Sequence, residues 1–508
     1  MRARLRLLGA VVAVLCGSVF GQTDKPNSNG ALTIYNQGFA VVRQTLPLSL
    51  TSGVNSYSFS GATAHVEAQS VILRDPFGQR RLLIHEQNYR NDPISRGLLL
   101  YQNEGKTIDF ELVRDGKLVR IPGRIIRSGY VPHQAAWQVY GSEYYAAQMQ
   151  LVQSGGGEAI VEFEGRIHFG LPGNPLFPEL AADAILRPTL NWLLETDKPG
   201  KFDAELSYVT RGMRWQADYN IVAPEAGSTV DIIGWVTFDN QSGTTFHNAK
   251  IKLLAGDVNK LSPQGMVVAA EYAAKMSRDE MRPQVSEKSF DEYHLYTLER
   301  PTTLRDRETK QVEFVRATNV SAPQLYIYDG AWIDANRYRG WSWENIRGDR
   351  EYGTVCNPKV WVMREFRNAE TNGLGMPLPK GRLRFYRRDD DGRLEFTGEN
   401  IIDHTPANED VRVYTGNAFD LVGERKRTDY RVDSNGHTLD ESFEIKLRNH
   451  KKQRVEIRVV EHLYRGLNWT IVGASHKGRK TDSNTMEYRI SVPANGEQVL
   501  TYTAHYTW

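Results

Sequence analysis

Cysteine is almost missing from this chain: its 508 residues hold two, Cys16 and Cys356. Cys16 falls in a segment read below as a signal peptide, so the mature chain keeps one thiol and no internal disulfide. Its stability must come from packed cores. Cys356 reads as a buried, inert thiol on a strand flank, because free cysteine is usually buried, with a nucleophile as the alternative. An excess of charge is missing too. Lys plus Arg number 63 against 61 Asp plus Glu, and losing Arg2, Arg4 and Arg6 with the signal leaves the mature chain balanced. Nucleic-acid proteins usually carry a basic excess or a clustered basic face, which sets that class aside. No later apolar run approaches the roughly 18 residues of a spanning helix, so no transmembrane helix is expected after signal removal.

Chemical signatures are equally scarce. Gly-x-Ser-x-Gly is absent, and the nearest string, Gly473-Ala474-Ser475-His476-Lys477, lacks the second Gly and lies between strands, so it reads as a loop. The 12 histidines form no His-Glu-x-x-His or other close ligand pair, and His85-Glu86 has no partner four residues on. Asp403-His404 reads as surface hydrogen bonding. Asp389-Asp390-Asp391-Gly392 invites a calcium reading, but no ligand series with a closing Glu follows, and a hairpin turn explains it better. No Gly-rich loop follows a strand and opens a helix, which argues against nucleotide chemistry. Neither a catalytic residue, a metal site nor a cofactor is expected from local sequence. A carboxylate pair of glycosidase type stays open, because separation in space defines it.

What is present begins with a secretory signal. Three arginines precede the apolar run from Leu7 to Leu15, and Val19 and Gly21 supply small residues before a cut between Gly21 and Gln22, so residues 1–21 predict export. Lipidation at Cys16 is the alternative, against which stands Leu15 where a lipobox wants a small residue. Residues 22–30 form a polar linker.

Beyond it the chain is written in short alternating runs with turn residues between them. Residues 31–170 read as an N-terminal β region, with a turn at Asn36-Gln37-Gly38 and an Asp-Gly hairpin at Arg114-Asp115-Gly116-Lys117, which suggests a small barrel or meander. Residues 171–188 read as a connector in which Asn174-Pro175 opens a helical turn or two, ended before Pro188. A middle β domain spans 189–355. Within its insertion at 262–285, the Ala- and Met-rich stretch from Met266 to Met281, flanked by Pro263 and Pro283, is the clearest helix candidate. Longer strands from 356 to 508 predict a C-terminal, immunoglobulin-like β-sandwich. The fold class is therefore all-β and multi-domain, sandwich or barrel, with minor helix.

Some of these runs carry more than pattern. Ser207-Tyr208-Val209-Thr210-Arg211-Gly212-Met213-Arg214-Trp215-Gln216-Ala217-Asp218-Tyr219 resembles the bacterial family catalogued as domain of unknown function 4139, which includes mucoidy inhibitor A-like exported proteins. The likeness continues in Gly234-Trp235-Val236-Thr237, Asn240-Gln241-Ser242-Gly243, Tyr296-Thr297-Leu298, Arg300-Pro301-Thr302-Thr303-Leu304 and Gly375-Met376-Pro377-Leu378-Pro379-Lys380-Gly381. It covers roughly 189 to 508, and more loosely the opening strands. The resemblance implies an exported, mainly β protein and carries no catalytic residues. Mucoidy inhibitor A relatives usually interpose a long coiled coil. Here residues 98 to 168 show no sustained heptads and read as more β structure, against a helical stalk.

One surface feature stands out. Trp332, Tyr338, Trp341 and Trp343 alternate with Arg337, Arg339 and Arg347 before Cys356. Aromatics interleaved with Arg are what binding hot spots use, and flat rings can stack on sugars or hold a protein partner. The competing reading folds these rings onto the sheet beneath. With β modules as common carriers of recognition, the expected function is an exported, non-catalytic binding or scaffolding protein of the cell envelope, its partner an envelope protein or a glycan. An envelope hydrolase assembled only in the fold, and a carbohydrate-binding protein, are the alternatives.

Overall fold

The computed structural model describes residues 30–91, 93–130, 158–180, 184–224, 227–256, 285–290, 293–433 and 437–508, with single positions 146, 150, 258 and 435. The signal peptide expected at 1–21, nearly all of the expected linker, the helix candidate from Met266 to Met281 and almost all of the insertion around it lie outside the described residues. The fold is all-β and multi-domain, with two larger units and one small one. Among the described residues no helix is long and apolar enough to cross a membrane.

The first unit is a sandwich whose interior follows from alternation. Thr229–Asn240 buries every second residue, and Gly200–Arg211 and Met213–Ala223 do nearly the same, the period-2 signature of strands with one buried face. Aromatic rings fill the space between the sheets. Trp215 lies 6.1 Å from Tyr296, and Phe314 meets Tyr219 at 5.7 Å and Tyr296 at 6.5 Å. The polar groups of three of these rings each find a carbonyl. Trp215 Nε1 donates to Leu254 O at 3.2 Å, Tyr219 to Pro379 O at 2.7 Å and Tyr296 to Pro377 O at 2.9 Å. These rings and prolines come from the strings that carry the family resemblance, so those strings are the unit's internal fastening.

A three-stranded sheet of Asn55–Phe59, Thr189–Thr196 and Leu82–Arg90 closes this core with Leu190, Trp192 and Leu194. Between those strands the chain builds the small unit, a five-stranded sheet packed on the helix Arg96–Gln102 around Leu100, Ile108, Phe110, Ile125 and Val161. Its hairpin turns at Asp115 and Gly116, both with positive φ, as Asp-Gly predicts. Asn174-Pro175 is a correction: it opens no helical turn, because Asn174–Leu176 is a strand paired with 109–111. That strand is the sheet's edge, a place where proline's missing N–H costs no ladder bond.

The second unit is one nine-stranded sheet folded over its own core, so that Tyr502 stacks at 5.3 Å on Phe443 and at 5.9 Å on Tyr488. It repeats the strand plan of the first. In the first unit Ala31–Tyr35 pairs in parallel with Phe246–Ala255 and antiparallel with Phe39–Leu50, which pairs with Gly200–Arg211. Met213–Ala223 then pairs with Thr229–Asn240, and that strand with Glu308–Ser321. In the second, Gln324–Asp329 pairs in parallel with Val455–His462 and antiparallel with Lys359–Arg367, which pairs with the first half of Asp410–Asp433. The second half of that strand pairs with Thr438–Asn449, and Thr438–Asn449 with Gly496–Thr507. The long strand of the second unit thus corresponds to two strands of the first, which are broken at Gly212. That residue has φ of +78°, and a Cβ there would stand 2.8 Å from Gln241 O, so only glycine makes the break without strain.

The same asparagine clasp ends the matching strand in both units. Asn240 ends its strand with Nδ2 donating to Thr244 O at 3.0 Å and Arg305 O at 2.9 Å, and Oδ1 accepting from Ser242 N at 3.1 Å. Asn449 donates to Gln453 O at 2.8 Å and Pro493 O at 2.9 Å, and accepts from Lys451 N at 2.9 Å. The sheets do not follow the sequence segments one by one. The opening strands 31–50 join strands beyond residue 200, and Gly381–Arg388 pairs in parallel with Met213–Ala223, fastening the second half of the chain to the first.

Candidate functional site

The two units differ most where Gln324–Asp329 passes to Lys359–Arg367. The matching connection in the first unit is the tight turn at 36–38, with Gly38 at φ +86°. In the second it is a strap, residues 330–358, and it carries all the aromatic and arginine candidates. Its ends are joined by the bridge between Ala331 and Cys356 and by Trp332 N donating to Val355 O at 3.1 Å. Its middle contains a short helix, Trp343–Gly348. Ser342 caps it, accepting from Asn345 N at 3.3 Å, the role serine takes at helix starts.

The structure divides the predicted residues between two environments. Tyr338 and Trp341 are half-buried and pack edge to face at 4.8 Å, and Tyr338 meets the buried Tyr352 at 4.7 Å. Trp332 and Trp343 face outward, 54% and 47% exposed. Arg337 and Arg339 are exposed, with the Arg337 guanidinium 5.1 Å from the Tyr338 ring. Arg347 lies 5.8 Å from Trp343 and 4.5 Å from Trp508. The strap therefore turns one set of rings inward and presents another.

Beneath it are charges that sequence reasoning missed. Arg425 is buried against Glu461, with Nε at 2.9 Å from Oε2. Arg465 Nη2 lies 2.8 Å from Glu441 Oε1, with both side chains wholly shielded, and Arg427 shares that oxygen at 3.3 Å. Burial depresses the Arg465 guanidinium, but Glu441, with Tyr430 and Tyr464, more than offsets it and leaves the pKa raised. What these arginines hold is the strap's backbone. Arg465 donates to Asp349 O and Tyr352 O, each at 2.8 Å, and to Ile346 O. Arg425 donates to Gly353 O at 2.8 Å, Arg427 to Arg350 O, and the Tyr430 hydroxyl to Arg347 O. Six carbonyls of one segment are thus taken by buried or half-buried side chains. Gly353 permits the approach, with φ of +70° and a hypothetical Cβ only 2.1 Å from the Tyr464 hydroxyl.

The fold does not require these ions. In matched register, with Met213 opposite Asn240 and Leu421 opposite Asn449, Arg425 stands where the first unit buries Ala217, and Glu441 where it buries Ile232. Glu461 is the fourth inward residue of its strand, as Leu253 is of Phe246–Ala255. One strand plan is thus filled with apolar groups in one copy and ion pairs in the other. Buried ion pairs are seldom a net source of stability, so their work is holding the strap. A signal existed: Glu441 and Glu461 fall on inward positions of strands that otherwise alternate cleanly.

Other candidates have local partners. Cys356 Sγ accepts from Arg425 N at 3.2 Å and lies 3.3 Å from the Tyr328 hydroxyl, beside a strand as expected. Ser475 and His476 stand 2.9 Å apart, but Ser475 Oγ also accepts from Thr501 N at 2.9 Å, and no carboxylate bonds His476 among the described residues. Lys380 meets Asp403 at 2.9 Å and donates its N–H to His404 Nδ1. Asp389 to Gly392 forms the hairpin turn, Gly392 N donating to Asp389 O. Among the described residues no group of three or more metal-type side chains is placed to hold an ion.

His462 gives a pH dependence. Its Nε2 lies 3.1 Å from Asp329 Oδ2, and that hydrogen bond raises its pKa despite burial. A raised histidine pKa contributes stability that is fully present below the unfolded value near 6.5 and is lost as pH rises through the folded value. The wild type should therefore hold a urea-midpoint advantage over His462→Gln at about pH 5.5 that disappears by about pH 8.5. A difference independent of pH would remove the ion pair from the account. The effect is small, because the side chain is 41% exposed.

Neither curated proteins nor solved structures gave a match to this chain. The family model described as Domain of unknown function (DUF4139) matches residues 204–508. That span takes in the aromatic fastening of the first unit, both asparagine clasps, and the strap with the ions beneath it. The match covers more than half of the chain, and the chain belongs to the DUF4139 family.

Proposed function

We propose that this chain is an exported, non-catalytic binding protein of the cell envelope that takes a protein partner on the outer face of the strap. The observation that carries the reading is the strap's anchorage: six carbonyls held from beneath while Trp332 and Trp343 stay half exposed. A recognition loop costs least to bind when its backbone is fixed beforehand. Tryptophan beside arginine is the composition of interface anchors. Export rests on the arginine-led apolar run of residues 1–21.

The test compares the full mature chain with a Trp332→Ala, Trp343→Ala double variant of equal thermal stability. Both are cross-linked in envelope extracts and applied to a glycan array. The expected result is one defined envelope protein captured by the wild type, with capture falling about tenfold or more in the variant. Equal capture by both overturns the assignment. Glycan binding lost in the variant replaces the protein partner with a sugar.

A further inference from the structure

The second unit carries another unassigned polar feature, which does not involve the strap. The parallel ladder between Gln324–Asp329 and Val455–His462 begins at Tyr326 and Ile457. At that end lies a groove of about 390 Å³, whose polar lining is Gln324, Tyr326, Gln453, Arg454, Glu456 and Arg458. Its charge is lopsided. Lys451 adds a third cation, its ammonium 5.5 Å from the centre of the Tyr326 ring. Glu456 is the lining's one carboxylate, and Arg489 takes it from outside at 4.0 Å while also meeting Glu487 at 3.4 Å.

Two further observations show that the positive charge is not neutralised from within. Arg458 Nε is shielded from solvent and has no hydrogen-bond partner among the described residues, so that donor of the guanidinium is left unmatched. Arg364 faces Gln324 across the ladder and donates to Ala322 O at 2.8 Å. Burial and the nearby Arg387 hold it below its ordinary pKa, as expected where cations crowd together. Guanidinium groups present paired donors that match the oxygens of a phosphate or carboxylate. The two glutamine amides add neutral donors at the rim.

We propose that this groove binds a compact oxyanion, a phosphate or a carboxylate group, on Arg454 and Arg458. The test is isothermal titration of the mature chain with inorganic phosphate and with acetate at constant ionic strength. It is repeated on an Arg454→Gln, Arg458→Gln double variant and on an Arg337→Gln, Arg339→Gln variant that removes two exposed cations from the strap. Circular dichroism and melting confirm that both variants are folded. The expected result is saturable binding, weakened about tenfold or more in the groove variant and unchanged in the strap variant. Phosphate binding alone assigns the site to phosphorylated ligands, and acetate binding with or without phosphate assigns it to carboxylates. The proposal is overturned if neither probe binds, if the groove variant binds as the wild type does, or if both variants weaken equally, which would mean diffuse charge attraction.

Discussion

Replacing Arg465 with Met should destabilise the second unit by about 3–5 kcal/mol, the cost of leaving a buried charge without its main partner. The side chain has no solvent contact, and its Nη2 is the closest cation to Glu441, which would keep only Arg427 at 3.3 Å. The same substitution removes the donor from Ile346 O, Asp349 O and Tyr352 O. The strap should then open below the global transition. Trypsin should cut at the exposed Arg337 and Arg339 well before the sheet unfolds, since cleavage follows the population of locally opened states. Urea unfolding with tryptophan fluorescence measures the first effect and timed proteolysis the second. A chain with several units need not unfold in one step, so the quantity compared is the shift of the transition that reports the second unit. No shift, or a shift without faster cleavage, would show that Arg465 does not secure the strap.

Most strands were legible because sheets with one buried face leave a period-2 record. Thr229–Asn240 alternates without a break, and the Asp-Gly hairpin at 115–116 turns with the positive φ its residues favour. The small residue at Gly212 was visible, but not the break it makes, because the same backbone course continues unbroken through Asp410–Asp433 in the other unit. Pairing between distant segments was not legible. Nothing local in residues 31–35 says that their parallel neighbour is 246–255, since ladder bonds are made by backbone common to all residues. At the strap, sequence found the aromatic and arginine residues but not their division into an inward and an outward set. Tyr338 and Trp341 are chemically as fit for a surface as Trp343 is, and only the carbonyl anchorage decides which way each faces. The anchoring residues carry no catalytic spacing, and a glutamate on the inward beat of a strand is a signal of a different kind.

A double-substitution cycle at Arg425 and Glu461 separates what the ions do for the fold from what they do for the strap. Each single change, Arg425→Met or Glu461→Leu, leaves a buried charge facing an apolar partner and should cost about 3–5 kcal/mol. Glu461→Leu also deprives the Tyr502 hydroxyl of its acceptor. The pair changed together copies the apolar filling of the first unit, which has Ala217 and Leu253 at the matched positions. Its cost should fall well below the sum, a coupling of about 2 kcal/mol or more between the two sites. The donor to Gly353 O and to the Tyr464 hydroxyl is nonetheless gone, so trypsin should still cut the strap faster than in the wild type, and partner capture should weaken with it. Recovery of stability without recovery of the strap would separate the two roles, because the first unit already shows that this strand plan packs with apolar side chains. If the double variant costs the full sum of the singles, the ion pair belongs to the architecture of the second unit. If the strap is as resistant in the double variant as in the wild type, Arg427, Tyr430 and Arg465 hold it without Arg425.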